Sequence, residues 1–268
     1  MELGLEGRSC VVTGASRGIG LATARMLCAE GASVVLAARG IEALEAAAGE
    51  CEAVARPGVR VERVALDVTA PDAGERLVTS CVERLGAIDV AVANAGTSRV
   101  RPIDELSDED WAEQWQLSVM APMRLMRASA PLMAERGWGR IVNVASSSGK
   151  RPSPTNVAYA VAKSAQLSLS RAYADAYAGR GVLVNAVAPG PVGTTLWLAQ
   201  GGLADQTAAA QGISREEALA AAQAKPPLGR FGTDDEIAAA IAFLCSERAS
   251  NVSGAAWSVD GGVVQTIV

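Results

Sequence analysis

The chain has 268 residues, 50% hydrophobic, 20% charged and 4% aromatic, with a formal charge of −5 and no histidine. That balance excludes a disordered chain, and the acidic charge without any clustered Lys/Arg run argues against a nucleic-acid partner. The missing histidine excludes His-based acid–base catalysis and His-bearing zinc sites, and no run of 18 apolar residues is present to span a membrane.

Along the chain, short β-branched apolar runs alternate with longer helical stretches. The first run, 9–12, leads into Thr13-Gly14-Ala15-Ser16-Arg17-Gly18-Ile19-Gly20, which opens a helix over 18–30. Glycines at such a turn let the backbone approach a pyrophosphate, while the helix N-terminus offers free N–H groups and the positive end of its dipole. The spacing G-x-x-x-G-x-G differs from the G-x-G-x-x-G fingerprint, so its weight comes from its place between the first strand and the first helix. Gly14, Ser16, Arg17, Gly18, Ile19 and Gly20 are therefore candidate cofactor residues. A second strand, 33–38, ends at Ala38-Arg39, where an acidic residue would receive the ribose hydroxyls of NAD. Arginine suits a 2′-phosphate instead, with Arg17 as a second cation, so NADP(H) is expected in preference to NAD(H).

Helices over 41–55 and 71–85 flank a third strand, 60–66. A fourth strand, 88–93, precedes a long helix over 110–135, for which Ser107 and Asp110 offer a capping box. Strands at 139–145, 182–187 and 255–259 and helices at 154–178 and 234–246 complete the series, the last helix capped by Thr233 and Glu236. Gly31, Gly86, Gly137 and Gly181 stand at helix ends. Such alternation makes parallel strands joined by helical crossovers, an α/β doubly wound fold with a mostly seven-stranded parallel sheet and helices on both faces. No repeat or low-complexity linker divides the chain, so one domain over 1–268 is expected. Residues 191–232 interrupt the pattern, with short helical pieces at 194–198 and 214–224; an insertion of that size reads as a substrate lid. The five cysteines, Cys10, Cys28, Cys51, Cys81 and Cys245, are odd in number and lack a Cys-x-x-Cys spacing, which suits buried thiols in a reducing cytoplasm.

Tyr159 and Lys163 lie four residues apart in the helix predicted over 154–178, on one face and about 5–6 Å apart at Cβ. An ammonium so placed favours the phenolate and lowers the tyrosine pKa, which makes the pair an acid–base device in a chain without histidine. The chain has only three lysines against 21 arginines, and an ammonium is not interchangeable with a guanidinium. As structure alone, the pair is an exposed helical contact worth about 0.3 kcal/mol.

In order, the chain carries Thr13-Gly14-x-x-x-Gly18-x-Gly20, Asn94-Ala95-Gly96, Ser146, Tyr159-x-x-x-Lys163, Pro189-Gly190-Pro191-Val192-Gly193-Thr194 and, near the C-terminus, Ser253-Gly254 and Val259-Asp260-Gly261-Gly262. On these motifs it resembles the short-chain dehydrogenase/reductases, Rossmann-type enzymes, over essentially its whole length. Within them it is most similar to the bacterial 3-oxoacyl-acyl-carrier-protein reductases and their unspecialised relatives.

The resemblance implies that Ser146 hydrogen-bonds a substrate carbonyl oxygen and that Tyr159 is the general acid in reduction and base in oxidation. It implies that Lys163 holds the nicotinamide ribose and tunes Tyr159. Thr194 would meet the carboxamide, Ile19 and Val192 the nicotinamide surroundings, and Asp67 and Val68 the adenine. Asn94, with Ala95 and Gly96, would tie neighbouring strands and line the cofactor groove, and Pro189 and Gly190 would carry the nicotinamide-facing segment. No metal is required. One position departs from the pattern: counting from Trp111, the family asparagine whose main-chain carbonyl holds a relay water falls at Ser118. Serine keeps a carbonyl, so the altered part is the side chain's shaping of the helix.

Leu196, Trp197, Leu198 and Leu203 in the lid favour an apolar or extended ketone or secondary alcohol, although the same residues would also serve to bury the lid. Arg136 and Arg180 lie near where carrier-protein reductases place basic contacts. The long helices carry small and apolar residues on more than one face, as at a subunit interface, and the resemblance implies a homotetramer, with a dimer as the smaller option. A second reading is a catalytically weakened NADP-binding regulatory or scaffold protein that keeps the groove. A third, a serine hydrolase using Ser146, lacks a histidine base.

Overall fold

The computed structural model describes residues 2–265, so the expected domain limits, 1 and 268, lie outside the described residues. Seven strands share one sheet: β1 (Ser9–Thr13), β2 (Ser33–Ala38), β3 (Val61–Ala65), β4 (Val90–Ala93), β5 (Gly139–Val144), β6 (Val182–Pro189) and β7 (Ala256–Val259). Their order is β3-β2-β1-β4-β5-β6-β7, and every neighbouring pair is parallel. Successive strand residues feed two different cores. Val12, Val34, Leu36, Val90 and Val92 join one cluster, while Val11, Val35, Ala37, Ala91 and Ala93 join the other. The side-chain period of two does this whenever both sheet faces are covered, and it is why these runs read as continuously apolar.

The first face is covered by α1 (Gly18–Ala29) and α2 (Ile41–Glu52), and the second by α3 (Ala73–Leu85). The helix expected over 110–135 is built as α4 (Asp108–Trp115), a widened π turn (Gln116–Met120) and α5 (Ala121–Glu135). A four-residue helix not foreseen from periodicity, α6 (Ser147–Lys150), precedes α7 (Val157–Tyr177). The insertion at 191–232 folds into α8 (Thr195–Leu198), α9 (Leu203–Gln211) and α10 (Arg215–Ala224), and α11 (Asp234–Cys245) returns to the first face. Helix α9 was missed because its sequence, with one leucine among small and polar residues, carries little periodicity; its limits are set by Gly202 and by Gly212 in the left-handed region at φ 65°. The capping boxes at Ser107–Asp110 and Thr233–Glu236 are formed as expected, and a third, Ser214–Glu217, starts α10.

The strand order reverses between β1 and β4, which opens a crevice beyond the C-terminal ends of the strands. The register sets Val12 beside Val92, and Val144 beside Val187. Thr13, Asn94, Ser146 and Gly190 therefore leave the sheet at the same edge. Among the described residues no helix is long and apolar enough to cross a membrane, and all five cysteines are buried free thiols.

Candidate active site

The turn from β1 to α1 is shaped by close packing. A Cβ at Gly20 would lie 2.3 Å from the Gly14 carbonyl oxygen and 2.5 Å from Asn94 Nδ2, so only glycine lets this helix start so near the fourth strand. Asn94 Nδ2 donates to the oxygens of Thr13 (2.9 Å) and Gly14 (3.2 Å), and Thr13 Oγ1 accepts from the amides of Asn94 (2.9 Å) and Ala95 (3.1 Å). These bonds join β1 to β4 at the crevice. Unlike α4, α10 and α11, α1 has neither a side-chain cap nor an acidic residue in its first turn. Its leading amides are left for an anion, which fits a pyrophosphate. Arg17 caps this turn in extended conformation (φ −170°) and, like Arg39 at the end of β2, is exposed and without an ion pair among the described residues. Asp67 follows β3. Its carboxylate accepts the amide (2.9 Å) and hydroxyl (2.7 Å) of Thr69, which hold its pKa below the usual range, with a smaller contribution from the Arg39 charge. Val68 packs against the second core and Ile19 against the first.

Across the crevice, Ser146 caps α6, its Oγ accepting the amide of Ser148 (3.1 Å), and is buried. Gly149 allows α6 to lie on α7: a Cβ there would stand 2.9 Å from the main-chain carbonyl of Lys163, and Ser164 Oγ donates to the Gly149 carbonyl (2.7 Å). Helix α6 is also tied to β7, since Lys150 Nζ donates to the Ala256 carbonyl (2.5 Å) and to Ser258 Oγ (2.9 Å). This brings Ser146 and Tyr159, thirteen residues apart, into one constellation. Lys163 is 2% exposed, and its Nζ donates to the Val144 carbonyl (2.8 Å) and Gln166 Oε1 (2.9 Å). A Cβ on Gly96 would stand 3.8 Å from that nitrogen, which places the ammonium beside the Asn94-Ala95-Gly96 loop. Neither partner is visible as a motif. Val144 contributes main chain, and Gln166 is signalled only by standing three residues beyond Lys163 on the same helix.

The electrostatics differ from the expectation that Lys163 lowers the Tyr159 pKa. Burial pushes the phenol above its ordinary value, and the only opposing influence is the nearby Ser146 hydroxyl. Burial also lowers Lys163 from 10.5 to about 7. A lysine so close to neutrality, with Nζ 5.7 Å from the Tyr159 ring centroid and two donors already engaged, exerts little pull on the phenol.

Beyond β6, the Gly190 amide donates to the Val259 carbonyl (3.2 Å), and a Cβ at Gly190 would lie 2.8 Å from Asp260 Cα. Asp260 in turn accepts from the amides of Gly262 (2.9 Å) and Val264 (2.8 Å), so the C-terminal motif braces the Pro189–Gly190 turn. Val192 is buried and bridges to Gly232, closing the base of the insertion, and Thr194 begins α8. Gln206 on α9 accepts the amide of Val100 (2.9 Å), linking the insertion to the loop after β4. Ser118 is fully buried in the π turn, its hydroxyl without a partner among the described residues. Arg136 pairs with Asp89 (3.5 Å) and Arg180 lies over the Tyr177 ring (5.4 Å), so both charges are engaged within the chain.

Known proteins resemble the chain over nearly its whole length. A family model described as enoyl-(acyl carrier protein) reductase matches residues 14–264. The chain is 35% identical to the 3-oxoacyl-[acyl-carrier-protein] reductase FabG of Thermotoga maritima over 260 residues, 97% of this chain and 99% of that protein. Among solved structures it resembles the L-sorbose reductase of Gluconobacter frateurii complexed with NADPH and L-sorbose (TM-score 0.91, 36% identity, 100% of both chains). It also resembles an actinorhodin polyketide ketoreductase with NADPH (TM-score 0.89, 34% identity, 96% of this chain and 97% of that one). With the glycine turn, the strand-tying asparagine and the Ser–Tyr–Lys constellation on one seven-stranded parallel sheet, the chain belongs to the short-chain dehydrogenase/reductase family of oxidoreductases.

Proposed function

We propose that this protein is an NADP(H)-dependent reductase of ketones, running in reverse as a secondary-alcohol dehydrogenase, with Tyr159 as general acid and base. The observation that carries the reading is the convergence of Ser146, Tyr159 and Lys163 on the crevice edge that also presents the uncapped first turn of α1. When bound, the nicotinamide supplies or accepts the hydride. The chain's own residues handle the charge that develops on the substrate oxygen. The Ser146 hydroxyl donates to that oxygen, and Tyr159, kept protonated at neutral pH by burial, delivers the proton. Arg17 and Arg39, neither of them in an ion pair among the described residues, suit a 2′-phosphate, in keeping with the NADPH in both solved relatives.

Lid residues support an apolar or extended substrate: Leu196 and Leu198 are 37% and 43% exposed, whereas Leu203 is buried and Trp197 packs against Phe231 with centroids 5.4 Å apart and the rings tilted by 46°. Trp111, Trp115, Leu132 and Val161 leave apolar surface on α4, α5 and α7, as a homotetramer or dimer built on these helices would require. The buried free thiols suit a reducing cytoplasm. The test is the loss of NADPH absorbance with a panel of ketones, and its reduction by at least about 100-fold in Tyr159→Phe while NADPH binding persists. If NADPH binds but no carbonyl compound is reduced, a regulatory or scaffold role takes its place.

A further inference from the structure

On α7, Lys163, Gln166 and Ser170 recur at three- and four-residue intervals and so share one face, which packs on β5. All three are shielded from solvent, with exposures of 2%, 1% and 2%. Ser170 has a structural use: its Oγ accepts from Asn143 Nδ2 (2.8 Å) and donates to the Gln166 main-chain carbonyl (2.8 Å), pinning α7 to β5. The Gln166 side chain is different. Among the described residues it makes one hydrogen bond, in which Oε1 accepts Lys163 Nζ at 2.9 Å. An aliphatic side chain would fill a buried helix face without the desolvation that an amide suffers there, so the amide needs a use at this position.

We propose that Gln166 is a positioning residue for Lys163, fixing, together with the Val144 carbonyl, two of the three directions around Nζ so that the third points to the groove beside Gly96. This role rests on the reductase reading above. Two fixed acceptors orient the nitrogen in either protonation state. As an ammonium it presents its remaining N–H to the groove, and as an amine it presents its lone pair there, so the same geometry serves proton transfer in both directions. Without Gln166, Nζ keeps one anchor and turns about its last torsions. Tyr159, with its ring 5.7 Å away, is the titratable neighbour of this nitrogen, and burial alone weakens the hold of Lys163 on its proton.

Lysine occurs at only three positions, so protein labelled with 13C and 15N in lysine gives three side-chain signals, assigned with Lys150→Arg and Lys225→Arg. In Gln166→Leu, the Lys163 titration midpoint in the cofactor-free protein moves down by about one pH unit, as expected when a charged donor loses its acceptor. With the ketone found for the wild type, kcat falls about tenfold and its pH profile shifts in the same direction, while KM for the ketone stays within about twofold. Gln166→Glu, which keeps an acceptor, restores the rate and raises the midpoint above that of the wild type. A Gln166→Leu protein with the wild-type midpoint and wild-type kcat overturns the proposal. Should that variant not fold, a Gln166→Glu midpoint that fails to rise overturns it as well. If the wild type reduces no ketone, the reductase reading fails, and the lysine titration still decides whether Gln166 controls Lys163.

Discussion

Pro122 stands four residues after Ser118, in the position whose amide would close the helical hydrogen bond to the Ser118 carbonyl, and proline has no amide hydrogen. The chain responds with the π turn at Gln116–Met120, where the Ala121 amide reaches back five residues to Gln116. The carbonyl expected to hold the relay water is thereby released from the regular ladder by the proline, whatever side chain residue 118 carries. Ser118→Asn is therefore expected to leave kcat within about twofold, while Pro122→Ala, which restores a donor, lowers it about tenfold. Steady-state rates on the two variants check this, and a wild-type rate in Pro122→Ala would remove the assignment.

Gly20→Ala brings a methyl group to 2.3 Å from the Gly14 oxygen and 2.5 Å from Asn94 Nδ2, so either the glycine loop or the Asn94 bridge must shift. Overpacking of this kind costs about 1–3 kcal/mol, and the distortion falls on the site itself. Calorimetry should show a lower Tm, and fluorescence titration an NADPH Kd raised at least about tenfold. An unchanged Kd would mean that the loop does not hold the cofactor.

Arg39 is exposed at the end of β2, and the Arg39 charge acts on Asp67 across the edge of the sheet. If Arg39 holds the 2′-phosphate as proposed, Arg39→Asp replaces that partner with a ribose-hydroxyl acceptor and sets a like charge against the phosphate. The ratio of kcat/KM for NADPH over NADH is expected to fall at least about tenfold. A preference that stays the same in both competing assays would count against Arg39 as the discriminating residue.

Lys163 links stability to pH. Its folded pKa of about 7 lies below the ordinary 10.5, so between those values the unfolded chain binds more protons than the folded one. The penalty for burying the ammonium is complete below pH 7 and is relieved as pH rises from about 7 towards 10.5, by at most about 5 kcal/mol. Urea unfolding of the wild type and Lys163→Met should show the wild type gaining stability relative to the variant over that window. Parallel curves would show that Lys163 is not held near neutrality.

Much of the architecture was legible from one dimension. β-Branched runs fall within a few residues of the observed strands because a strand buried on both faces must be apolar throughout, and helix starts at Ser107 and Thr233 were legible because a capping box is a contact between residues three apart. The order of motifs likewise placed Thr13, Asn94, Ser146 and Gly190 at successive strand ends, which a parallel sheet gathers at one edge. Helix 110–135 was read as continuous although Pro122, well inside it, has no amide hydrogen for the ladder; only the packed helix shows that the chain answers with a π turn and does not break.

The sequence by itself determined the parallel sheet, the glycine turn after β1 and the Tyr159–Lys163 spacing, since each rests on periodicity or on contacts within a few residues. Tertiary structure decided how those residues behave. That Lys163 is buried, that its partners are the Val144 carbonyl on β5 and Gln166, and that Tyr159 is therefore raised and not lowered all depend on which surfaces close over the crevice. Desolvation is a property of the assembled surroundings, and no spacing along the chain encodes it.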